Sequence, residues 1–350
     1  MLAPVAAVAL LASQLVALPA TAATIDVRPG ESIQAAINSA SPGDTIVVHP
    51  GVYHQNVNVN KNRIKLEGSG ASVNGTVLVP PKHPKGPNGG TGIGVFNKVD
   101  FKTGAVLRKS RGVQVSGFLV RGFRDFGIFF YGAVGFVASH NKAVNNGGYG
   151  ISGFHLHKGK FLYNVATGSE EAGFYTGDSP KADFVTRGNV ASGNQFGYLM
   201  RDAQHGVVTD NRFYGNCVGA VILDTGSPGR AGYWTLRNND VYHNDRLCPK
   251  SGEVPFNTSG TGLAIFGGQN NVIGRNRVWA NRPSAASPVA GGIVLHTGAV
   301  LGGHVESGNA VRFNVAYRNS PADIRWDGKG SANTFTGNKC KRSQPGGLCH

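Results

Sequence analysis

Residues 164–216 read NVATGSEEAGFYTGDSPKADFVTRGNVASGNQFGYLMRDAQHGVVTDNRFYGN, and one pattern recurs within them. Asn, any residue, then Val, Ala or Phe begins at Asn164, Asn189 and Asn211, and a second Asn follows five residues on at Asn194 and Asn216. Working outward, the first Asn also occurs at Asn141, Asn239, Asn276, Asn314 and, in a weaker copy, Asn338, and the second at Asn146, Asn244, Asn281 and Asn319. The basic period is 22–25 residues, with longer intervals of 28, 37 and 38 that mark insertions. A repeat this short denotes a solenoid, whose units bury their apolar sides only against their neighbours.

After most copies comes a Gly followed by alternating apolar residues: Gly150-Ile151, Gly173-Phe174, Gly197-Tyr198, Gly219-Ala220, Gly262-Leu263 and Gly292-Ile293. Each unit is therefore two or three short strands joined by Asn and Gly turns, with no helix-period segment. The fold class expected is all-β: a parallel β-helix whose coils lie ~4.8 Å apart, with equivalent Asn amides hydrogen-bonded along the stack. The Asn repeat is structural, and no catalytic role is assigned to it. At the N-terminal end, Ile33, Ala36, Ile37 and Ala40 share one face of a short helix entered through Glu31-Ser32 and ended by Pro42-Gly43. That helix caps the open end of the solenoid within about residues 24–44.

The chain has 350 residues, 52 of them Gly and 17 Pro, with 15% charged residues, which excludes a coiled coil, a disordered acidic tail and a small disulfide scaffold. Residues 2–18 are an apolar run followed by Ala20-Thr21-Ala22, the small-x-small form of a signal-peptidase site, so residues 1–22 are expected to be a signal peptide and 23–350 one exported domain. No other segment is suited to span a membrane, and a monomer is expected. Four cysteines in an exported chain read as two bridges with three connectivities, of which the local one, Cys217–Cys248 and Cys340–Cys349, is expected. The second bridge would close the C-terminal end, about 338–350.

The stretch SIQAAINSASPGDTIVVHPGVY (residues 32–53), followed by the Asn and Gly coils, resembles the secreted right-handed parallel β-helix proteins of the pectin-lyase-like superfamily, in particular β-helix repeat proteins exported by actinobacteria. The resemblance covers nearly the whole exported chain and implies a long groove on one face, where polysaccharides are cleaved or epimerised. The superfamily's Asp-Asp pair, Gly-His-Gly motif and paired-arginine pattern are absent, so the resemblance specifies fold rather than activity.

Aligning the coils on their Gly places His155, Asp178, Asp202 and Asp224 at the fifth position of four consecutive coils, with Asp327 in a similar place. A column of carboxylates at coil spacing raises at least one pKa, or needs a cation such as Ca²⁺ or a nearby Arg. Asp178, Asp202 and Asp224 are thus candidate catalytic or calcium-binding groups, and the alternative is that each ends a strand in an Asx-turn. Alternation puts the second and fourth positions on the outer face, giving Tyr175, Arg201, Phe154, Phe266 and His296, with Tyr131 one coil earlier. His155 with His157, and His205, are further candidate bases, whereas Trp234, Trp279 and Trp326 are read as packing.

The net charge of +15 calls for an acidic partner, and the Pro/Gly-rich insertion 80–92 carries Lys82 and Lys85 as candidate polymer contacts. No nucleic-acid motif accompanies the charge. The leading expectation is a secreted protein acting on an acidic polysaccharide by β-elimination or C5 epimerisation. Arg201 would neutralise the uronate carboxylate, with Tyr175, His205 or His155 as base or acid. The alternatives are a glycoside hydrolase using two column aspartates, with Asp178 and Asp224 at the better spacing, and a non-catalytic binder of wall polymers.

Overall fold

The computed structural model describes residues 21–350 except Lys85, Pro87, Pro228 and Glu253; the expected signal peptide falls largely, and Lys85 wholly, outside the described residues. Each coil runs through three short strands that pair in parallel with the equivalent strands of the coils before and after. In one coil these are Ala172–Ser179, Phe184–Arg187 and Val190–Ser192. The sheet holding Phe184–Arg187 is here the first, that holding Val190–Ser192 the second, and that holding Ala172–Ser179 the third. Registers such as Val165↔Val190 and Phe174↔Tyr198 bring coil upon coil into alignment. The antiparallel exceptions are insertions: a hairpin of Lys98–Asp100 with Ala105–Arg108, and a bridge of Cys248 with Thr258.

The corners explain the repeat. Between the first and second sheets a single residue takes a left-handed conformation, as at Tyr163, Asp210, Asn238 and Arg275, and the repeat Asn follows it. The side-chain oxygen of that Asn accepts from both the backbone N–H and the side-chain amide of the Asn one coil earlier, at 2.8 and 3.0 Å for Asn164 on Asn189. The ladder continues from Asn141 to Asn338. A second ladder, Asn194–Asn216–Asn244–Asn281–Asn319, fills the corner between the second and third sheets and ends on the carboxylate of Asp323; Ser169 takes the corresponding place one coil before it and Asn146 the one before that. A third, Asn271–Asn309–Asn333, was not expected from the sequence. These amides satisfy the buried backbone groups that each tight corner strands.

Glycine follows the second ladder because the coils nearly touch there. A Cβ on Gly197 would lie 2.3 Å from the carbonyl oxygen of Gly219, and one on Gly262 would lie 2.3 Å from that of Gly292. The interior is a continuous apolar column that includes Phe130, Phe161, Phe174, Phe184 and Trp234. At its N-terminal end sits the expected helix, Ile33–Ser39, capped by the Ser32 hydroxyl and burying Ile33, Ala36 and Ile37. At the other end Leu348 packs into the column beside the Cys340–Cys349 disulfide. Both expected disulfides are present. Among the described residues no helix is long and apolar enough to cross a membrane.

Candidate functional site

The outer surface of the third sheet is organised by register. One column runs Tyr131, Phe154, Gly177, Arg201, Leu223, Phe266 and His296, and its neighbour includes Tyr175, Leu199, Val221 and Ala264. Alternation thus places the second and fourth positions outside the main core. Tyr175, Leu199, Val221, Ala264 and Phe266 are closed off from water, because they form a second apolar cluster with Tyr149, Val289 and Phe256. Loops inserted far along the chain roof that cluster. The loop after Asn244 is pinned to the stack by the Cys217–Cys248 disulfide, and a short turn, Ala299–Leu301, comes from a later coil.

Arg201 interrupts this apolar surface. Its side chain is 32% exposed and lines a cavity of about 560 Å³ with Tyr149, Glu171, Gln195, Thr225 and Leu301, and it is the only cation among the described lining residues. The guanidinium lies 5.9 Å over the Tyr175 ring and 3.9 Å from Asp202, and its buried Nε has no hydrogen-bond partner. Tyr175 is itself fully buried, stacked 4.3 Å from Tyr149, and its hydroxyl likewise lacks a partner. Burial pushes both phenols upward, Arg201 opposing it at each, and the Tyr149 hydroxyl donates to the Glu171 carboxylate. Glu171, Tyr149 and Arg201 thus put a carboxylate, a phenol and a guanidinium on one cavity wall.

The expected aspartate column does not act as one unit. His155, Asp178 and Asp202 occupy left-handed corner positions in successive coils, as a turn requires. Asp178 is half-buried and lines a second cavity, also about 560 Å³, with His155, His157, Lys109 and Lys181. Asp202 is 1% exposed and spends its oxygens on the backbone N–H and the hydroxyl of Thr225, at 2.8 and 2.5 Å. Burial nevertheless holds its pKa above the usual carboxylate value. Asp224 is fully buried, 3.1 Å from His304 and 3.4 Å from Arg230, and it closes an Asx-turn on the Gly226 N–H. Two of the three carboxylates are therefore committed to protein partners and turned from the cavity. Among the described residues no three His, Cys, Asp or Glu side chains come together to hold a metal ion. This donor set does not fit calcium, which takes several oxygen ligands at once.

The remaining candidates are dispersed. Tyr131 donates to the Gly104 carbonyl at 2.9 Å, holding the inserted hairpin, and packs on Phe154 and His155. Phe266 is 5% exposed beneath the roof, and His296 lies 3.7 Å from Asp327 beyond it. His205 is exposed at a corner, stacked on Tyr233, and lines neither cavity. Lys82 is exposed on its loop, also away from both. Sequence reasoning missed Tyr149 and Glu171, although Glu170-Glu171 is the one adjacent acidic pair in the chain and stands just before a repeat Gly.

Comparison with known proteins agrees on the fold. A family model described as a right handed beta helix region matches residues 88–241. The A-module of mannuronan C-5 epimerase AlgE6 from Azotobacter vinelandii is 19% identical, with 87% of this chain and 88% of that one covered and a TM-score of 0.59. DFA-IIIase from Arthrobacter chlorophenolicus A6 is 15% identical, with 89% and 93% covered and a TM-score of 0.62. The Dettilon tailspike protein is 14% identical, with 91% and 58% covered and a TM-score of 0.54. At such identities the likeness is one of fold, a right-handed parallel β-helix. No curated protein matches the sequence.

Proposed function

We propose that the protein is an exported carbohydrate-active enzyme that removes the proton α to the carboxylate of a uronate polymer, leading to β-elimination or C5 epimerisation. The observation that carries this reading is Arg201: a half-buried guanidinium, 3.9 Å from Asp202, that is the one cation among the described residues lining a cavity shared with Glu171 and Tyr149. Such a group binds a carboxylate strongly because the surrounding dielectric is low and the site is already formed. One solved structure of like fold is named as a mannuronan C-5 epimerase, which fits a uronate polymer without specifying one.

In this reading Arg201 pairs with the uronate carboxylate and disperses the charge that develops when C5 loses its proton. Glu171, hydrogen-bonded by the Tyr149 hydroxyl, takes that proton. The electron pair left on C5 then expels the O4 substituent, giving an unsaturated uronate, or is reprotonated from the opposite face, giving the epimer. Tyr149, kept protonated by burial and on the same wall as Glu171, gives its proton to the departing O4 oxygen in the elimination, and solvent on the opposite face supplies the proton for the epimer. Tyr175 supports Arg201 from below, and Asp178 with His155 lines the adjoining cavity for a neighbouring sugar.

The direct test is binding of a uronate oligosaccharide and of its methyl ester, followed by calorimetry. The wild type is expected to prefer the free acid by at least about tenfold, and Arg201→Ala to lose that preference. Equal affinity of the wild type for acid and ester would refute the assignment.

A further inference from the structure

We propose that the corner between the first and second sheets is a docking strip for a linear polyuronate, separate from the cavities on the third sheet. Six arginines line this corner over consecutive coils. Arg187, Arg237 and Arg312 fall in one register column of the first sheet, and Arg212 and Arg277 in one column of the second, with Arg275 at the turn between them. All six are exposed.

Two carboxylates share the strip, Asp210 and Asp240. Arg277 engages Asp240 with two hydrogen bonds of 2.9 and 3.0 Å. Arg187 lies 5.4 Å over the Tyr163 ring. Among the described residues no carboxylate stands within ion-pair distance of Arg212, Arg237, Arg275 or Arg312. These four charges repeat along the axis in steps of one or more coils, ~4.8 Å each. A glycan with one carboxylate per sugar ring has a charge repeat of the same order, and the planar guanidinium matches a carboxylate with two parallel hydrogen bonds.

The neighbouring surface selects against nucleic acid. Tyr214, Tyr242, Trp279 and Tyr317 stack ring on ring beside the strip, with centroids 5.2, 4.7 and 6.1 Å apart and planes within 11°. Their faces are turned to one another, so they offer no platform for unpaired bases. The strip includes a shallow concavity of about 330 Å³ lined by Asp210, Arg212, Asn238 and Asp240. A surface of this kind holds the polymer by its charges while leaving the chain free to slide toward the opposite face. The inference shares the polymer class of the proposed reaction but rests on charge and register, and it holds whether or not the cavity is catalytic.

The test uses the disulfide-bonded protein and polygalacturonate, with affinity measured at low and moderate salt. A variant carrying Arg212→Gln, Arg237→Gln, Arg275→Gln and Arg312→Gln is expected to bind about tenfold or more weakly, with a shallower salt dependence and an unchanged melting temperature. The corresponding Lys variant keeps the charges and the salt dependence but loses the bidentate pairing, so it is expected to bind more weakly than the wild type and more tightly than the Gln variant. Wild-type affinity in the Gln variant, or binding by the wild type that is indifferent to salt, would overturn the proposal. So would duplex DNA binding as tightly as the polyuronate.

Discussion

Arg201 stands where strand alternation puts it, yet its chemistry comes from what surrounds it. Glu171→Gln keeps the shape and the Tyr149 contact but removes the base, so turnover is expected to fall by about 10²–10⁴ with folding unaffected, as steady-state kinetics and a thermal melt would show. Asp202 makes a different prediction. Its folded pKa is raised, so its stabilising effect is complete below the ordinary carboxylate value and is lost as pH rises through the higher folded value. Asp202→Asn should therefore flatten that decline, and denaturant titrations between acid and neutral pH would reveal it; parallel curves for both proteins would contradict the assignment. The sequence made Arg201, Tyr175 and Asp178 legible because register follows from period. It did not reveal that Tyr175 is sealed, since the loops over its cluster are built from residues about 75 to 125 positions later in the chain. Nor did it rank Glu171, whose corner position lies outside the alternating part of the strand.

At the scale of the element, the Asn ladders and the Gly column are the parts most completely written in the sequence, because each is a repeated answer to one corner geometry. Asn211 accepts from Asn189 and donates to the Thr186 carbonyl and to Asn239, so Asn211→Ala strands several buried groups. It is expected to cost at least about 3 kcal/mol in chemical denaturation, and clearly more than Asn338→Ala at the ladder's end. Gly197→Ala drives a methyl toward the Gly219 carbonyl and is expected to cost about 1–3 kcal/mol or more. The third ladder and the hairpin 98–108 escaped the sequence because they occur in too few coils to set a period. The Cys217–Cys248 bridge closes 31 residues and holds one wall of the Arg201 cavity. Its removal by Cys248→Ser is expected to weaken oligosaccharide binding in a titration even where the stacked sheets remain folded.

The whole molecule divides its labour among its faces. A one-dimensional stack capped by a helix at one end and a disulfide loop at the other supplies a rigid rod whose stability comes from neighbouring coils. The third sheet carries the roofed cavities, and the opposite corner carries unpaired arginines that account for part of the +15 charge. Polymer held along that corner is kept near the cavities, a gain in local concentration that needs no new contact. The central claim is that Arg201 and Glu171 act on a uronate polymer. The most direct measurement is incubation of the protein with a panel of polyuronates and neutral glycans, following the ultraviolet absorbance of unsaturated uronate and, by proton NMR, C5 inversion. Product from at least one polyuronate, lost in both Glu171→Gln and Arg201→Ala, is the expected result. Silence in both channels with every polyuronate, or product formation that survives both substitutions, would contradict it.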